Sequence, residues 1–229
     1  MSAVFHLTLG KLIMNFIKKS GALVLLASLA ACIEGTDQID TISAEEFGAL
    51  ITRSGNLSAA DPEDLVGEAT MSGGILFGVP SNEEEFSATI GNMNMVADFT
   101  NSEISGAATE LKDYVISGEC EDINDCDIEL VISFDGELVL DSVINGSLFT
   151  GTLNGELTAS EEVTEGEETF MVTGVADVNL DVSGRFLADD AGLMAQALLG
   201  GDASMETFID GELEETSVDT FAGWFYAAE

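Results

Sequence analysis

The sequence predicts a mainly β chain: a single antiparallel β-barrel of about eight strands over residues 67–229, with a short helix near 190–199. Three observations predict it. From Gly67 onward, short apolar runs alternate with clusters of Gly, Asn, Asp and Ser, the pattern of strands and tight turns. An apolar-[Asp/Asn]-Gly-Glu-Leu phrase recurs at 134–138, 153–157 and 209–213, and Asp-Gly or Asn-Gly supplies the positive φ of two-residue hairpin turns. Helical spacing is confined to two short stretches. Closing such strands into a ring removes exposed sheet edges, which invite aggregation.

The leader comes first. Lys18 and Lys19 precede an apolar run, Gly21–Leu29, and the small residues Ala30 and Ala31, so residues 1–31 read as a signal peptide. The run is shorter than the roughly 20 residues of a membrane-spanning helix. Met14 makes a better initiator than Met1. The stretch Leu29-Ala30-Ala31-Cys32 resembles the bacterial lipobox. That resemblance implies that Cys32 carries acyl chains such as palmitate and becomes the first residue of the mature chain. Each buried methylene contributes about 0.8 kcal/mol, and more than one chain gives stable attachment. Ile33 after the cysteine, where Asp would signal retention at the inner membrane, makes the outer membrane the expected destination.

Charge divides the chain at the same place. Residues 1–31 hold half of the six basic residues and the only histidine, His6. All 43 acids follow Ala31, where three basic residues leave a net charge of −40. Such a body repels nucleic acid and anionic lipid. Its acidity fits solubility, adaptation to salty surroundings or a cation site. Without histidine after residue 31, the usual Ser-His-Asp and Cys-His catalysis and His-ligated zinc or haem are excluded. Acids are plentiful, but no catalytic pair stands out, so no enzyme activity, cofactor or metal is expected.

Residues 32–66 read as a lipidated tether with one short helix. Ser43 stands three before Glu46, Phe47, Leu50 and Ile51 recur on one face, and Gly55 stops the run. The following "NLSAADPEDLVGE" reads as loop. Predicted strands then cover 68–79, 85–100 with a break at Gly91, 102–111, 127–135, 137–145, 148–154, 156–160, 169–187 in two pieces, and 220–228. Cys120 and Cys126 lie close together in an exported chain, which favours a disulfide pinning an acidic hairpin tip. A calcium loop fits that tip poorly: Asp122 and Asn124 have the right offset, but Cys126 takes the third ligand's place. In "DDAGLMAQALLGG" Asp189 or Asp190 caps a predicted helix, with Leu193, Met194 and Leu198 as its stripe. The ending alternates: Phe221 and Phe225 fall on one strand face, Trp224 and Tyr226 on the other. The Phe face is expected inward. Trp224 and Tyr226 are expected outward, as packing at the barrel end or as a partner contact.

Three stretches, "GEATMSGGILF" (67–77), "MVADFTNSEISGAATEL" (95–111) and "VSGRFLADDAGLMAQALLGG" (182–201), resemble in order the barrel domain of transferrin-binding protein B and similar surface lipoproteins. Met71 stands where that family usually has tyrosine, and Leu187-Ala188 replace an aromatic-Gly pair. The resemblance implies a lipid-tethered barrel on the cell surface, brought there by an outer-membrane translocator, that binds a protein or solute through its loops. The chain is too short for the family's two lobes, so their partner does not carry over. The expected function is a surface-exposed binding lipoprotein with an unidentified ligand. The alternative is a periplasm-facing structural lipoprotein without one.

Overall fold

In the computed structural model, which describes residues 44–79, 85–117, 127–165 and 168–229, each main strand pairs with its sequence neighbours. Among the described residues one helix, α1 (Ala44–Ser54), precedes the strands β1 (Ser58–Ala59), β2 (Glu68–Gly78), β3 (Glu85–Asp98), β4 (Glu103–Ser117), β5 (Asp127–Ser133), β6 (Asp135–Gly136), β7 (Leu138–Asn145), β8 (Leu148–Glu165), β9 (Glu168–Asp189), β10 (Gly192–Ile209) and β11 (Glu212–Ala228). β5 and β7 pair in turn with β4, so together they fill one place. Pairing of β11 with β2 closes an antiparallel ring of eight strands. The fold is therefore mainly β and barrel-like, as predicted.

The helix near 190–199 does not form. Ala195, Ala197 and Leu199 alternate inward on β10, and the strand is paired along its length with β9 and β11. The spacing of Leu193, Met194 and Leu198 imitates a helical stripe, but those side chains serve different faces. Leu193 packs on the ring core, Met194 lies in a second cluster outside it, and Leu198 is 63% exposed. Pairing on both edges overrides the helical spacing.

Only one of the three repeated turns is a hairpin. Ile209 pairs with Glu212 around Asp210 (φ 50°) and Gly211 (φ 84°), the positive-φ pair a two-residue turn needs. Asn154-Gly155 lies inside the continuous strand β8, and Asp135-Gly136 bulges out of β4's partner strand to pair with β8 instead. β9 is one strand of 22 residues where two pieces were expected. β4 runs on past Leu111 to Ser117, and β11 begins eight residues before Thr220. The break expected at Gly91 is a bulge: Ile90 pairs with Lys112 and Asn92 with Thr109.

The helix expected in the tether does form, and it docks. Phe47 packs with Leu76, Leu187, Met194, Trp224 and Tyr226 on the outside of the ring. Burying such a ring contributes about 1.5–3 kcal/mol. Phe47 meets Tyr226 edge-on, with centroids 5.9 Å apart. At the last turn Arg53 Nη2 donates to Asp189 Oδ1 (2.7 Å) and to the Gly192 carbonyl (3.0 Å). Trp224 and Tyr226 thus face outward as expected and are covered by α1, each 8% exposed. The stretch read as loop contributes β1, which pairs with β9, and Ala60 N–H donates to the Phe186 carbonyl.

Candidate functional site at the open end of the ring

The inside of the ring is apolar, but its filling changes along the axis. At the end holding the β7–β8 and β9–β10 turns, Phe149, Phe186 and Phe225 fill the interior, each at most 1% exposed. Phe149 and Phe186 centroids lie 5.1 Å apart, and Phe99 closes on Phe186 at the same distance. Gly184 stands opposite Phe149, and any Cβ there would fall within that ring, so the aromatic plug requires glycine at 184.

At the other end the same strands present small inward residues: Ala159 on β8, Gly174 and Ala176 on β9, and Ala203 on β10. Phe77, Phe134 and Phe221 line the same space. That space is a cavity of about 210 Å³. Nothing lies within 4 Å of a Cβ placed on Gly174, so a wall of small residues leaves this volume open.

Two carboxylates, Asp113 and Glu161, enter the apolar lining. Asp113 of β4 stands opposite Thr89 of β3, and the Thr89 hydroxyl donates to its Oδ1 at 3.2 Å. A bulge aims it there. Glu110 takes a positive φ of 53°, and Gly91 alone opposes the extra residue, its position crowded by Leu111. A bulge shifts side-chain phase by one residue. Before it Ile104 and Ala108 face inward; after it Leu111 and Asp113 do. Loss of water pushes the Asp113 carboxyl up to about 6, against the opposing bonds from Thr89 and the Tyr114 N–H. Glu161 of β8 also lines the cavity, and among the described residues no Lys or Arg does.

The outer wall is the reverse. Asp141, Thr152 and Asp181 form one cross-strand row, and Val139, Asn154, Asn179, Asp202 and Thr220 another. The strands are longer than expected, but these rows lack the apolar band that a lipid-facing barrel requires. Among the described residues no helix is long and apolar enough to cross a membrane, and no group of His, Cys, Asp or Glu is placed to hold a metal ion.

Cys32, Cys120 and Cys126, with Asp122 and Asn124, lie outside the described residues. Asp113 lies beyond Leu111, where the sequence pattern alone ends the third main strand. Its signal is the alternation Leu111, Asp113, Val115, an acid on an otherwise apolar face. The arrangement can hold a small apolar molecule and orient a donor group on it. In comparison with known proteins, no family model, no curated protein and no solved structure matches this chain.

Proposed function

We propose that this chain is an exported lipoprotein, anchored in the outer membrane through acylated Cys32 and facing outside, whose barrel binds a small apolar solute at its open end. The cavity carries this reading: one end of the ring is sealed by aromatic packing, while the other holds about 210 Å³ lined by apolar side chains. A cavity of about 150 Å³ lined by Leu, Ile and Phe suffices for benzene, so this one admits a ring with a short chain. Anchoring is supported by the lipobox-like Leu29–Cys32 stretch, and surface display by the resemblance to transferrin-binding protein B-like barrels.

Three measurements test it. Labelled palmitate enters the native chain and not Cys32→Ala. Protease removes the protein from intact cells. The neutral probe 2-phenylethanol binds the purified full chain and not Gly174→Leu, whose added side chain grows into free space and leaves the far-UV circular dichroism unchanged. Resistance to protease together with no probe binding would favour the alternative, a periplasm-facing structural lipoprotein.

A further inference from the structure

The cavity's wall is apolar except for Ser87, Thr89 and the two acids Asp113 and Glu161. Asp113 is held between strands by its cross-strand partner Thr89, and the Glu110 bulge fixes its direction. A carboxylate facing an apolar space is costly unless paired. No described cation of the chain supplies that pairing inside the cavity. Arg53 is engaged with Asp189, Arg185 donates to Gln196, and Lys112 is the strand neighbour of Asp113 in the opposite phase. On the inner row beyond Gly155, Val178 and Ala203 comes a further acid, Asp219. The chain's net charge of −37 adds an attractive field for cations around the mouth.

We infer that the cavity selects a small amphipathic amine, with its apolar body against Phe77, Phe134 and Phe221 and its ammonium on the Asp113 carboxylate. This rests on the cavity being the binding site. The amine both fills the apolar space and supplies the missing counter-charge. An uncharged molecule of the same shape does only the first, and a carboxylate is repelled. A charge-assisted hydrogen bond is worth about 1.5–3 kcal/mol, a preference of about tenfold or more.

The test is calorimetry on the purified full chain at pH 8 with three probes that share a phenylethyl body: 2-phenylethylamine, 2-phenylethanol and 3-phenylpropionate. The amine binds at least about tenfold more tightly than the alcohol, and the propionate binds weakest. Asp113→Asn brings the amine down to the alcohol's affinity and lowers the alcohol's affinity far less. Because that variant removes one charge among many, a loss on this scale separates a contact from attraction by the overall field. Gly174→Leu abolishes binding of all three. Equal affinity for amine and alcohol, or an equal effect of Asp113→Asn on both, overturns the amine inference and leaves the cavity reading standing. No binding of any probe to the folded native chain overturns both.

Discussion

The two ends of the ring are built from the same strands with opposite priorities. On β8 and β9 the sealed end carries Phe149, Leu153, Leu180 and Phe186, and the open end carries Ala159, Gly174 and Ala176. The first set fills the interior to contact, which is where packing energy is greatest. The second leaves room, and space in an apolar interior costs stability unless something occupies it. A bulge and an inward acid at the open end add further cost. Tight packing is concentrated at one end of the ring and the cavity lies at the other.

The largest expected effect breaks that comparison most directly. Phe186→Ala empties the sealed end and should cost about 3–5 kcal/mol, read as a lowered urea midpoint with an unchanged slope. Phe221→Ala, at the open end and only partly buried, should cost roughly 1–2 kcal/mol. Equal losses would mean that the two ends are packed alike.

Next in size is Asp113. Its carboxyl is raised from 3.8 to about 6 in the folded chain, so between those values the native state binds more protons than the unfolded one. Its contribution is therefore most favourable at low pH and is lost as pH rises through about 6. Asp113→Asn should stabilise the chain by up to about 3 kcal/mol at pH 8 and leave it nearly unchanged at pH 4, measured as paired urea midpoints. A loss of stability at pH 8 would show that the open end is better satisfied than its geometry indicates.

The smallest effect belongs to the brace on the sealed end. Arg53 of α1 grips Asp189 beside the β9–β10 turn and holds that carboxyl below its ordinary range, with a further bond from the Ala191 N–H. A depressed acid stabilises above its unfolded value and loses that contribution as pH falls through the folded one. Arg53→Ala should lower the melting temperature slightly at pH 7, and the difference should shrink on acidification and in salt. A difference that persists at low pH would assign the brace to the Gly192 carbonyl bond instead.

Much of the sealed end could be read in advance. Phe47, Leu50 and Ile51 at helical spacing announced α1, and the Phe225/Tyr226 alternation announced which residues of the last strand face in and out. The open end could not. Asp113 sits beyond a bulge, and nothing local says that Glu110 adopts a positive φ or that Gly91 stands opposite it. The Leu193, Met194 and Leu198 spacing misled for the same reason: periodicity within a dozen residues is silent about the partners that decide it.

By itself the sequence determined that the chain is built of strands, that Asp210-Gly211 turns one hairpin, that a helix over Ala44–Ser54 precedes the sheet, and that the body is strongly acidic. These follow from composition and local backbone preference, which neighbouring residues settle among themselves. The tertiary structure alone decided that Asn154-Gly155 stays within a strand, that β10 is no helix, and that Asp113 faces the cavity. Each of these depends on hydrogen-bond partners contributed by other strands. An alternating strand has two faces, and only its neighbours determine which one the ring encloses.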